Sequence, residues 1–364
     1  MSDLRDILDR KRAESRPAPG AFERLETRRR RRDFRRRATA GTVALLAVVV
    51  GAVAAIRLFP TKIEPASQPV VVRTVVLDRT PAVVASGLGS LWVAEEDRLS
   101  PEGVEFQADE RLLRLDPETG RVTAEVPLAV AASGSAMEVG EGAVWLGGLG
   151  TVSRIDPESG AQLEAFGFGE NPTALGLARG EPESSPLRGV WVATPVDDSV
   201  HRIIPSTGEV ETISSVGDRP LGVAVGEGAV WVALGGEGAV ARIDAARGDV
   251  VQKIGVSAPT GPIAVGAGAV WVGVESGVAR IDPTHNRVVT VVTLPSPPHT
   301  LAVGPAGVWA ATVAGISLVD PETNVPSRVL DVTDVRGFAS TSFGLWAATE
   351  QELLLLRAGD SPSN

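Results

Sequence analysis

This 364-residue chain contains three histidines. His299 stands in PPHTLAVG, directly after a proline that leads into a run of small apolar residues. A histidine there could act as a general base, because imidazole titrates near neutral pH. His201 falls in a strand-like segment and His285 in the turn-like PTHN, so both are expected to be ordinary surface or turn residues. Asn171, Arg219, Asp334 and Arg336 occupy places in the chain that correspond to the neighbourhood of His299. Two arginines beside an amide and an imidazole offer donors for a carboxylate, a phosphate or an acidic sugar. The chain has no Cys, which excludes thiolate catalysis, disulfides and Cys-bound zinc. No P-loop, HExxH or Ser-His-Asp order is visible. The sequence implies no cofactor and no metal.

What must position those residues is a repeat. All seven tryptophans lie in one kind of segment: Trp92 in SLWVAE, Trp145 in AVWLGG, Trp191 in GVWVAT, Trp231 in AVWVAL, Trp271 in AVWVGV, Trp309 in GVWAAT and Trp346 in GLWAAT. Their spacings are 53, 46, 40, 40, 38 and 37 residues. One aromatic β signature about every 40 residues marks a repeat architecture. Seven units predict an all-β, seven-bladed β-propeller with four-stranded antiparallel blades over residues 70–358. A tryptophan present in every unit is expected to fill the wedge between blades, its indole N–H bonded to a carbonyl or water.

Residues 220–257 show one unit in full. PLGVAVG is a small-residue strand suited to the crowded centre, AVWVAL an apolar strand buried on both faces, AVARID a third strand and GDVVQKIGV an alternating fourth. Turns of the type RLDPETG, RIDPESG and RIDPTHN recur. In such turns Asp accepts local backbone N–H groups, Pro fixes φ, and the last Gly or Asn tolerates φ > 0. Repeated Asp can also mark calcium, but each copy offers only one or two carboxylates, too few for a calcium loop.

The seventh unit ends after LLLLRA without a fourth strand, whereas VVVRTVVLD at 70–78 precedes the first unit. That segment is expected to pair with LLLLRA and close the ring, removing an exposed edge. Two units carry insertions, 95–109 after Trp92 and 178–188 before Trp191. Loops of this kind are where a rigid scaffold places function.

The chain is charged asymmetrically. Residues 1–37 hold 14 Lys+Arg and 7 Asp+Glu, a net +7, which leaves −17 for the remainder. Residues 38–56 are 19 uncharged, mostly apolar residues, about 28 Å long as a helix. Arg28–Arg32 and Arg35–Arg37 stand directly before this run. The positive-inside bias then puts the N-terminus in the cytoplasm and the propeller outside. The expected organisation is a basic cytoplasmic leader (1–37), a transmembrane helix (38–59), a proline-rich tether (60–69), the propeller (70–358) and a disordered tail (359–364). Lipid is the expected partner of helix 38–59 and of Arg28–Arg37. No nucleic-acid partner is expected, and the protein is expected to be a monomer. A cleaved signal peptide fits less well, because its apolar region is usually shorter and its leader briefer.

PLGVAVGEGAVWVA and AVARID resemble the units of the seven-bladed propellers that include virginiamycin B (streptogramin) lyase and YncE-like surface proteins. The resemblance covers residues 70–358 and implies the architecture more than the activity. The N-terminal piece resembles the short leaders of actinobacterial single-span proteins. In the lyase, a histidine after the proline of an inner strand, a glutamate three residues after a blade tryptophan and a divalent metal carry out a base-assisted elimination. His299 matches the first position. Thr312 stands at the second, and the same offset elsewhere gives Glu95, Gly148, Thr194, Leu234, Val274 and Thr349. Positions corresponding to His299 are Ala82, Ser135, Thr173, Leu221, Gly261 and Arg336. The reading that follows is a non-catalytic binding, scaffold or sensor module taking a small molecule, glycan or protein at one propeller face. A lyase-like enzyme at the channel mouth is the alternative. A quinone-dependent dehydrogenase is disfavoured by the seven-unit count.

Overall fold

The structure, a computed structural model, describes residues 68–96, 110–128, 136–169, 172–179, 181–327 and 329–359. The leader, the predicted membrane helix, most of the tether, Asn171 and most of the 95–109 insertion lie outside the described residues. Among the described residues no helix is long and apolar enough to cross a membrane.

The described residues form seven antiparallel sheets, six of which run outward in chain order from an inner strand. Blade one spans 80–127, blade two 136–167, blade three 174–213, blade four 220–255 and blade five 259–293. Blade six has three strands within 298–319, and the irregular segment that follows adds bridges Ile316–Leu330 and Val319–Pro326 where a fourth strand would run. Pro326 is the reason pairing stays local, since it cannot donate to a ladder. Blade seven spans 337–358 and is completed by Pro69–Val76, which pairs antiparallel with Glu352–Ala358. The ring therefore closes through its first strand, as the sequence predicts.

The second strands are mostly apolar and buried, wholly so in Ala229–Leu234 and Ala269–Val274. All seven tryptophans are at most 1% exposed. Neighbouring inner strands pack directly on one another. At Gly222 a Cβ would collide with the Gly261 carbonyl of the next blade, so the small first strand is a steric requirement.

The indole N–H groups find carbonyls by a rule. Trp92, Trp145, Trp231 and Trp271 donate to the glycine five residues earlier, at 3.0–3.1 Å. Trp191 donates instead to Leu187 O, and Trp346 crosses the closure to Pro117 O, both at 2.9 Å. Trp309 Nε1 is buried with no hydrogen-bond partner among the described residues.

The arginine of the RID segments completes this device. In blades one to five it pairs across the sheet with the tryptophan, and its guanidinium lies 5.3–5.6 Å from the ring centre. From there, in every one of these blades except the third, it reaches the turn of the next blade. Arg154 donates to Pro205 O, Arg242 to Pro283 O and Asn286 Oδ1, and Arg280 to Pro321 O and Asn324 Oδ1. Arg114 reaches Glu158 of blade two. Blades six and seven carry Leu318 and Leu355 at this position. Sequence reasoning treated these arginines as part of a turn motif and missed their role between blades.

The turns behave as their chemistry requires. Asp116, Asp156, Asp244, Asp282 and Asp320 each accept backbone N–H groups two and three residues on. Asn286 and Asn324 adopt φ of 51° and 59°, the left-handed region they tolerate.

Candidate functional site

In each blade the chain enters the inner strand from one face of the ring, here termed the mouth face. His299 is the second residue of the inner strand Pro298–Gly304 and is exposed. Its Nε2 lies 2.9 Å from Val335 O. A carbonyl only accepts, so Nε2 carries the hydrogen and Nδ1 remains the basic nitrogen of the neutral ring. Thr173 Oγ1 donates to Pro220 O at 3.1 Å, and Thr260 Oγ1 to Pro298 O at 3.0 Å. These are the same bond in other blades, from the residue after the leading position to the next blade's backbone. His299 thus belongs to a belt that ties inner strands together.

The belt also corrects the alignment of blade five. A bulge between Pro259 and Ile263 adds a residue there, so Thr260, not Gly261, corresponds to His299.

A cavity of about 290 Å³ opens at this level, lined by Thr173, Leu221, Gly222, Thr260, Gly261 and His299 among others. The other described mouth-face candidates do not line it. Arg219 is exposed, has φ of 54°, and its backbone N–H bonds Asp198 Oδ1 at 3.0 Å. Arg336 is exposed, and its backbone N–H donates to Ala348 O at 2.7 Å. Asp334 lines a separate groove of about 460 Å³ with Asp331, Glu350 and Glu352. The structure therefore places His299 with two hydroxyls and Asp334 with other carboxylates.

Where the position three residues after a tryptophan is threonine, its hydroxyl supports the next turn. Thr312 Oγ1 donates to Gly315 O at 3.0 Å and accepts from Ala314 N at 3.1 Å. Thr349 makes the analogous bonds with Glu352 O and N. Glu95, the one carboxylate at this offset, is fully buried, and Arg111 Nε donates to its Oε2 at 2.5 Å. Arg111 also pairs with Asp78 and, at 2.8 Å, with Glu125. Burial pushes the Glu95 carboxyl above its usual value, against the pull of Arg111. Glu95 Oε1 has no hydrogen-bond partner among the described residues.

His201 departs from expectation. It is 7% exposed, with Nε2 3.0 Å from Thr194 Oγ1, Nδ1 2.9 Å from Thr212 Oγ1, and the tilted Phe168 ring centred 4.7 Å from its own. Its strand lies in the interior of blade three, so an alternating pattern with one polar residue read as surface when the site was a satisfied core. His285 is exposed and bonds Asp282 within its turn.

On the opposite face, the 178–188 insertion is tied to its neighbours. Arg179 donates to Ser86 O at 2.7 Å and to Glu138 Oε2 at 3.1 Å, bridging blade three to blades one and two. Arg188 grips Glu141 with two bonds of 2.8 and 2.5 Å. No group of three or more His, Asp or Glu that could hold a metal occurs among the described residues.

This architecture defines the chain as a seven-bladed β-propeller. Solved structures agree on the fold. The Pan2 WD40 domain of Neurospora crassa superposes with a TM-score of 0.61 at 10% identity, over 81% of this chain and 97% of that one. The WD40 repeats of RRP9 give 0.60 at 14% identity over 80% and 99%, and the WD40 propeller of Doa1 0.60 at 11% over 80% and 97%. No family model matches the chain. No curated protein matches it in sequence.

Proposed function

We propose that this chain is a membrane-anchored, extracytoplasmic propeller that acts as a non-catalytic binding, scaffold or sensor module, with its ligand at the mouth face. The observation that carries this reading is the open cavity at the centre of that face, lined by His299 and by belt threonines. Exposed Arg219 and Arg336, Asp334 in its own groove, and Asn171, which lies outside the described residues, are further candidate contacts for an anionic small molecule, a glycan or a protein. The fold supports a binding role by analogy alone. The uncharged run 38–56 and the arginines before it support the anchor and its orientation.

The alternative, a virginiamycin B lyase-like enzyme within a YncE-like superfamily, rests on His299 and the unit sequences. Against it, Thr312 caps a turn where the lyase pattern has an acid, and His299 Nε2–H is held by Val335 O. A ligand screen by thermal shift decides between the readings. Stabilisation by an anionic ligand, lost in Arg336→Ala, supports the binding module. Metal-dependent opening of a cyclic depsipeptide, abolished in His299→Ala, overturns it. Protease accessibility of the propeller on intact cells tests the predicted side of the membrane.

A further inference from the structure

One junction lacks the bond that its neighbours share. In blade three, Arg202 stacks over Trp191 like its counterparts. Its Nε donates to Arg188 O at 2.8 Å and its Nη1 to Glu211 at 3.0 Å, and it makes no hydrogen bond to blade four among the described residues. The Trp191 indole is likewise turned to the insertion, donating to Leu187 O. Both groups that elsewhere serve the second strand or the next blade are held by the end of the 178–188 insertion. Blade four meets them with DAARG, having Ala245 where other turns have proline.

The consequence is a cleft of about 540 Å³ between blades three and four. Pro186, Trp191, Arg202, Glu211, Ala245 and Arg247 line it. At the equivalent place in later junctions, the arginine receives a prolyl carbonyl and an asparagine Oδ1. The fold itself therefore displays the chemistry that satisfies an Arg–Trp pair of this kind.

We propose that the blade three–four cleft is a peptide-binding site, taking an extended proline-bearing segment of a partner protein. Its prolyl carbonyl would face Arg202, and its ring would pack toward Trp191 and Ala245. The proposal rests on the reading of the propeller as a binding module and adds a second site, remote from the mouth face, with a defined ligand class. The insertion then has a function, since it withdraws Arg202 from blade four and wedges the cleft open.

The test uses the full chain, which has no cysteine. Ala246 is exposed on the cleft rim, and Thr284 holds the equivalent place in blade five, where Arg242 already has its acceptors. Ala246→Cys and Thr284→Cys are each labelled with an environment-sensitive fluorophore. The probe is a synthetic peptide copying Val319–Asn324, the turn that Arg280 receives. The expected result is saturable change at the Ala246→Cys label with Kd below about 1 mM. The Thr284→Cys label should stay silent, and Arg202→Gln should weaken binding at least about tenfold. Should Arg202→Gln fail to fold, Ala246→Trp, which fills the rim, must abolish binding measured by anisotropy of labelled peptide. No change at about 5 mM peptide, or equal change at both labels, overturns the proposal. That failure beside a positive mouth-face screen would remove the cleft and leave the binding module standing.

Discussion

The Arg280 guanidinium lies 5.3 Å from the centre of the Trp271 ring, and its Nη1 donates to Pro321 O at 2.7 Å. One side chain thus covers the wedge of its own blade and fastens the turn of the next. Removing it in Arg280→Ala should cost about 3 kcal/mol, from one cation–π contact and two charged hydrogen bonds, to Pro321 O and Asn324 Oδ1. Arg280→Leu should cost less, because leucine serves at the same position over Trp309 and Trp346. Urea denaturation followed by circular dichroism measures both.

Trp309 and Trp271 are equally buried, but among the described residues only Trp271 has an acceptor for its N–H, Gly266 O at 3.1 Å. Trp→Phe removes that hydrogen bond at one site and relieves an unmade one at the other. Trp271→Phe is expected to be more destabilising than Trp309→Phe by about 1 kcal/mol. Equal losses in urea would show that ring volume alone matters.

The ring depends on a strand from the far end of the domain. Leu354 pairs with Thr74 in the closing ladder and is 5% exposed. An unpaired charge in Leu354→Asp should cost about 3 kcal/mol or more. Deleting residues up to 76 should abolish a single cooperative melt, since it leaves 352–358 as an open edge. A truncated chain that melts at the native temperature would contradict closure.

Two groups of carboxyls give opposite pH dependences. Local hydrogen bonds hold Asp116, Asp156, Asp282 and Asp320 below the usual 3.8. Their contribution is present above that value and is lost as pH falls through the lowered ones. Burial raises Glu95 above 4.5, so the folded state takes up its proton more readily than the unfolded chain. Stability therefore declines as pH rises from 4.5 through the raised value. Glu95→Gln should flatten that decline, whereas Asp156→Asn should change only the acid limb. Urea midpoints from about pH 3 to about pH 8 separate the two.

Much of this architecture could be read directly from residue patterns. The seven tryptophans, the Asp-Pro turns and the closing strand rest on local chemistry: two-residue alternation, φ preferences and the unpaired strand at each end. Those signals act within a few residues, so they survive in the linear order. The relations between blades do not. Arg242 and Pro283, His299 and Val335, or Trp346 and Pro117 meet only because the sheets are packed radially in a ring. A one-residue bulge moved the His299 counterpart in blade five from Gly261 to Thr260, and such a shift leaves no periodic trace. The interior placement of His201 and the open cleft beside Arg202 were likewise decided in three dimensions. Packing sums contacts between residues some 40 positions apart, and only the closed ring fixes which of those contacts are made.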